Sequence, residues 1–75
     1  MFTEGDRVKL VKDFDNEPGI VAAGTKGTIV MVMPGDDAFF DYFVRLDDDG
    51  SNEVVSKVNA RLGGFPLFQY EIEAA

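Results

Sequence analysis

The stretch that decides the fold is TIVMVMPGDDAFFDYFVRLDDDGSNEVVSKV, residues 28–58. Thr28–Met33 is a continuous apolar run. Apolar residues on both faces suit a central strand, or a twisted one that touches two parts of a core. Pro34-Gly35-Asp36-Asp37 ends it. Phe40–Leu46 is the next predicted strand, with Tyr42, Val44 and Leu46 on one face and Phe43 and Arg45 on the other. Asp47-Asp48-Asp49-Gly50 reads as a hairpin turn, because Asp-Gly tolerates the positive φ angles such turns need. Asn52–Val58 then returns antiparallel, which makes a three-strand meander.

Upstream, Gly24-Thr25-Lys26-Gly27 is a turn into the meander. Arg7–Val11 is a first strand, with Val8 and Leu10 facing one side and Arg7, Lys9 and Val11 the other; Gly5-Asp6 turns into it. Residues 12–24, KDFDNEPGIVAAG, form a long connection rich in loop formers. A loop this long in a small domain is often functional; the alternative is a short, irregular hairpin covering one end of a barrel. Phe14 and Ile20-Val21 would tuck it onto the core. Downstream, Gly63-Gly64 breaks the chain, Leu67-Phe68-Gln69 after Pro66 suits a single 3-10 turn, and Tyr70–Glu73 alternates as a closing edge strand. No long segment keeps a helical period. The expectation is an all-β fold: a small five-stranded barrel with one short 3-10 turn, which buries the strand faces and limits free edges. Its core is drawn from Val8, Leu10, Ile29, Met31, Val44, Leu46, Val55 and Ile72.

This order of elements resembles an SH3-like barrel. The tail Gly64-Phe65-Pro66-Leu67-Phe68-Gln69-Tyr70-Glu71 is similar to the closing Gly-x-Phe-Pro-x-Asn-Tyr-Val-Glu pattern of SH3 domains, with one more residue between Pro and Tyr. Asp13-Phe14-Asp15 resembles their acidic, aromatic first loop. Gly24-Thr25-Lys26-Gly27-Thr28-Ile29-Val30 looks like the Gly-x-x-Gly-Thr-Val turn of small prokaryotic SH3-like barrels of the KOW type. The SH3 proline groove has a Trp wall and this chain has no Trp, so the resemblance implies the fold rather than polyproline recognition. Fold alone does not fix function.

Length and composition set the outer bounds. A chain of 75 residues, 45% apolar, is one folded domain over residues 1–75. A domain this small buries about 60% of its unfolded surface, which leaves a stability of a few kcal/mol. With no disulfide or metal to staple it, seven Phe and two Tyr must supply much of the core. The absence of Cys and His excludes zinc knuckles, haem ligation, disulfides and Cys–His or Ser–His catalysis. No apolar run approaches the roughly 20 residues of a membrane span, and residues 1–15 are too charged for a signal peptide. A cytoplasmic protein is expected.

Fourteen Asp+Glu against seven Lys+Arg give a net charge of −7. The acids cluster: Asp13, Asp15 and Glu17 in the first loop, Asp36, Asp37 and Asp41 in or beside the second, and Asp47, Asp48, Asp49 and Glu53 around the third. In an SH3-like barrel the first two loops flank one groove. That groove would also carry Phe14, Phe39, Phe40 and Tyr70. Acids beside rings suit a basic peptide, since carboxylates pair with Lys or Arg and rings receive their stems or guanidinium planes. The alternative assigns the acids to solvation and the rings to the core. Phe39 and Phe40 point oppositely on a strand, so one should be exposed; the sequence leaves open which.

Other chemistries fare worse. Asp47–Glu53 has clustered oxygen ligands but lacks the EF-hand pattern. The basic residues Arg7, Lys9, Lys12, Lys26, Arg45, Lys57 and Arg61 are scattered in the sequence, so direct nucleic-acid binding is not expected. Carboxylates in exposed loops keep ordinary pKa values and make poor general acids. The sequence therefore predicts a non-catalytic protein-binding module or accessory subunit, without cofactor or metal. It would contact a basic protein surface through Asp13, Phe14, Asp15, Glu17, Asp36, Asp37, Phe39, Phe40 and Tyr70. The alternative is an acidic inhibitor that mimics nucleic acid at a basic site.

Overall fold

Val8 and Leu10, at alternate positions of the first strand, begin the core, and the remaining elements assemble over them. A computed structural model describes residues 1–16, 19–35 and 39–75, with the backbone alone at Asn16 and Leu62. The strands are β1 (Arg7–Leu10), β2 (Phe14–Asn16), β3 (Gly19–Val21), β4 (Lys26–Val32), β5 (Tyr42–Leu46), β6 (Phe65–Leu67) and β7 (Ile72–Ala74). A helix, α1 (Glu53–Leu62), separates β5 from β6, and a 3-10 turn at Gln69–Glu71 precedes β7. Five strands form one curled antiparallel sheet in the order β6-β5-β4-β1-β7, a half-barrel, while β2 and β3 pair separately as a hairpin. Residues 12–24 thus contain the short hairpin rather than an open loop.

Two expectations fail here. The barrel is not closed: among the described residues, β6 and β7 do not pair with each other. And Asn52–Val58 is not a strand, nor Asp47–Gly50 a hairpin turn, because the segment is helical. Asn52 caps the helix, its Oδ1 accepting from Val55 N–H at 3.2 Å. Glu53 sits in the first turn and pairs with Lys57 at 2.8 Å, one turn on. Gly63 ends the helix at φ 75°, its N–H bonded to Asn59 O. Val55 and Val58, buried at 2% and 4% exposure, with half-buried Val54, line the inward helical stripe. Their β-branching, which favoured the strand reading, is outweighed by the caps and by this burial.

The concave side of the sheet holds Val8, Leu10, Ile29, Tyr42, Val44, Leu46, Phe65, Leu67 and Ile72, covered by α1 and by Val21 of the hairpin. Of the expected core, Met31 alone is misplaced, at 48% exposure. The cause is a β-bulge: Ile29 pairs with Val44 but Met31 pairs with Phe43, so Val30 is an extra residue in β4. That insertion reverses the alternation, and Met31 leaves the core face.

The place beside β5 expected for Asn52–Val58 is taken instead by β6, a strand that the sequence does not predict, and the other differences are in boundaries. β1 stops at Leu10 and leaves Val11 out; β4 starts at Lys26 and takes in Gly27, which sequence had assigned to a turn. β5 begins at Tyr42 rather than Phe40, and Tyr70 and Glu71 belong to the 3-10 turn rather than to the last strand. The turn itself lies two residues later than Leu67–Gln69.

Helix and sheet are latched by one buried side chain. Asn59, 4% exposed, accepts from Leu46 N–H at 3.1 Å and donates to Leu46 C=O at 2.8 Å. β6 pairs with β5 only from Tyr42 to Val44. The Asn59 amide therefore stands where a longer β6 would have continued the ladder.

Candidate functional site

The 3-10 turn carries the most exposed ordered ring pair. Phe68 and Tyr70 stack at 5.4 Å between centroids, with planes 12° apart. Tyr70 is 74% exposed. Three other pairs, Phe2–Tyr42, Phe14–Phe65 and Phe40–Phe43, account for every further ring except that of Phe39. Aromatic pairs fill the core in the first two cases; Phe68–Tyr70 instead faces solvent.

The turn is held from both sides. Glu71 Oε1 accepts from Phe68 N–H at 2.8 Å, and Asp41 Oδ2 accepts from Gln69 N–H at 2.8 Å. Tyr42 donates its hydroxyl to Gln69 Oε1 at 3.2 Å. On the hairpin side, Val11 N–H donates to Glu71 O at 3.1 Å, and Lys12 Nζ lies 3.5 Å from Glu71 Oε2. The same ammonium sits 5.0 Å from the centroid of Phe14. The base of the β2–β3 hairpin and the end of the β4–β5 connection thus bracket one turn.

The residues expected at a binding surface fall into distinct places. Asp13 and Asp15 are exposed on the hairpin. Asp13 Oδ1 accepts from Ala23 N–H at 2.7 Å, which ties the hairpin base together. Phe14 is half-buried, edge-to-face with Phe65 at 5.1 Å. Phe39 is the exposed member of its pair, at 91%, while Phe40 is half-buried against Phe43. Tyr70 stands on the turn between the hairpin and the Phe39–Asp41 segment. Glu17, Asp36 and Asp37 lie outside the described residues. Sequence reasoning missed Phe68 and the Lys12–Glu71 clasp. The signal for Phe68 was its spacing to Tyr70 beside a single 3-10 turn, which can bring two rings together.

The third acidic cluster serves the framework. Asp47 makes two hydrogen bonds to the Arg7 guanidinium, 2.7 and 2.5 Å, which hold its carboxyl below the usual carboxylate range. Asp48 Oδ1 accepts from Gly50 N–H and the Ser56 hydroxyl. Asp49 accepts from the Ser51 hydroxyl and N–H, which lower its pKa, and Lys57 lowers that of Glu53. These oxygens order the lead into α1. Among the described residues no three Asp or Glu side chains converge as metal ligands. No helix among them is long and apolar enough to cross a membrane.

Compared with known proteins, the chain matches no family model, no curated protein and no solved structure.

Proposed function

We propose that this chain is a non-catalytic protein-binding module with an SH3-like architecture that contacts a basic partner surface. The carrying observation is the solvent-facing Phe68–Tyr70 stack, fixed in place by Glu71, Asp41 and Lys12. A large ring ordered before binding loses little entropy on contact, and such rings are common hot spots. Exposed Asp41 bonds to the turn, exposed Asp13 and Asp15 follow Lys12 on the hairpin, and the sequence adds Glu17, Asp36 and Asp37 to the two flanking connections. Their charge would steer a basic partner toward the rings.

The SH3-like reading draws support from the sheet order. With the hairpin set aside, the last strand pairs with the first, followed by the second, third and fourth. A hairpin occupies the first connection and a 3-10 turn precedes the last strand, while α1 replaces the third loop.

The test is an amide-resolved NMR titration of the full chain with a synthetic peptide alternating Arg and Ala. Shifts should gather at residues 13–15, 39–41 and 68–71, and Tyr70→Ala should weaken binding about tenfold while the fold persists. Shifts scattered over the surface, or equal binding by Tyr70→Ala, would refute the reading.

A further inference from the structure

The convex side of the sheet is a second surface, and its residues are sorted by chemistry. Val8 and Leu10 face the core, so Arg7 and Lys9 face out. Strand register extends those positions into rows. Arg7 pairs with Thr28, and Thr28 with Arg45. Lys9 pairs with Lys26 on one side and Glu73 on the other. Arg7 Nη1 donates to Thr28 Oγ1 at 2.8 Å, which confirms the shared face. Four of the chain's seven basic residues, scattered in sequence, are therefore gathered here.

The next row is apolar: Met31 pairs with Phe43, and Phe43 with Pro66. Phe40 packs on Phe43 at 5.8 Å. The bulge adds Val30, so two adjacent apolar side chains, 39% and 48% exposed, come to the surface where regular pairing would present one. Bulges commonly re-aim side chains beside functional sites.

We infer that this convex face docks an acidic protein segment whose apolar side chains cover Met31 and Phe43 while its carboxylates meet Arg45 and Lys26. Charge complementarity selects that occupant. Arg7 is matched by Asp47 and Lys9 by Glu73 at 3.8 Å. Among the described residues, Lys26 and Arg45 have no carboxylate within 4.0 Å. Asp47 and Asp48 line the same shallow depression as Arg45, Thr28 and Val30, and Asp47 is held by Arg7. Asp48 is already engaged by Gly50 and Ser56.

A second copy fits less well. A stable interface takes about 800 Å² from each partner, and the total surface here is 4726 Å². The apolar row, each member of it at least half covered, cannot supply that area alone. A two-fold pairing would have to include the cationic rows and set them near one another. Nucleic acid would leave Met31, Phe43 and Phe40 without apolar contact, whereas the Phe and Leu side chains of a peptide can cover them. The proposed basic partner is centred on Phe68 and Tyr70 and shares only the border residue Phe40 with this face, so the two surfaces would let one small domain join two chains of opposite charge.

The experiment uses the full chain and a synthetic 12-residue peptide of Glu and Asp interrupted by Phe and Leu, followed by amide NMR. Saturable shifts are expected at residues 26–31, 43–45 and 66. The double variant Lys26→Gln, Arg45→Gln should bind at least fivefold more weakly, and so should Met31→Ser. Tyr70→Ala should bind this peptide as the parent does, which separates the result from the fate of the other surface. Unchanged spectra away from each substitution establish that these surface variants fold. Lack of saturation at millimolar peptide, or shifts centred on residues 68–71, would overturn the inference. Tighter binding of a 12-nucleotide single strand on the same face would overturn it in favour of nucleic acid. Self-association abolished by Met31→Ser would overturn it in favour of a second copy.

Discussion

Replacing Asn59 should unfasten the helix from the sheet. Asn59→Ala removes the acceptor for Leu46 N–H and the donor to Leu46 C=O, both buried. Each unpaired backbone group costs about 1–3 kcal/mol, part of it relieved by water entering the vacated volume. A total of about 2–4 kcal/mol follows, against the roughly 3–5 kcal/mol that a core of this size supplies. The variant should be marginally stable in plain buffer, with a detectable unfolded fraction that shrinks when trimethylamine N-oxide is added. Circular dichroism along that titration, set beside urea melts of the parent, gives the difference.

Asn59→Asp sharpens the argument. Its carboxylate can still accept from Leu46 N–H, but it opposes the Leu46 carbonyl oxygen. Protonated, it can donate to that oxygen again. Burial without a cation raises the folded pKa above the unfolded value of about 3.9. The acid form is thus the compatible one. Stability relative to the parent is greatest below that pH and is lost as pH rises through the folded pKa. An Asn59→Ala cost below about 1 kcal/mol, or an Asn59→Asp deficit that stays constant from pH 3 to 7, would refute the latch.

Val44→Ala should cost about 1–3 kcal/mol by opening a cavity at a site with no exposure, whereas Met31→Ala should cost under about 0.5 kcal/mol in the same urea melts; similar costs would place the β4 bulge elsewhere. Gly27→Ala should destabilise by about 1–3 kcal/mol, since a Cβ there would sit 2.6 Å from Val44 Cγ1 and 2.7 Å from the Arg45 carbonyl oxygen; an unchanged melting temperature would contradict that approach of strands. Asp47 has a lowered folded pKa, so its pairing with Arg7 contributes above the unfolded value near pH 4 and fades as pH falls through the folded one. Asp47→Asn should flatten that acid limb in melts between pH 2 and 6, most clearly at low salt.

Alternation in Arg7–Leu10 and Tyr42–Leu46 made the sheet legible, because one buried face imposes a period of two. The helix was hidden by a conflict. Val54, Val55 and Val58 favour a strand by propensity, and Asp49-Gly50 favours a turn. The opposing signs were also present: Asn52 as cap, Glu53 and Lys57 four apart, and Gly63 as terminator. Propensity is the weaker constraint when caps and an inward stripe agree. The bulge at Val30 has no local signature, since Ile29–Met33 is apolar throughout and accepts either register. The same gap hid the convex face. Arg7, Lys9, Lys26 and Arg45 are distant in sequence and meet only through cross-strand pairing. At the 3-10 turn, Tyr70 was legible from its tail motif, but the Lys12–Glu71 clasp depends on a contact no spacing rule foresees.

The pairing of β1 with β7 also sets the order in which the chain can be completed. Residues 7–10 can find β4 early, but their other edge waits for residues 72–74. At roughly 5–20 residues per second, synthesis leaves that edge open for on the order of 3–13 s. During that interval Val8 and Leu10 lie on a strand with unmet hydrogen bonds, a template for pairing with another nascent chain. Arg7 and Lys9, interleaved with them, act as gatekeepers against such contact. The same cations that mark the convex face in the finished fold thus guard its unfinished seam on the ribosome.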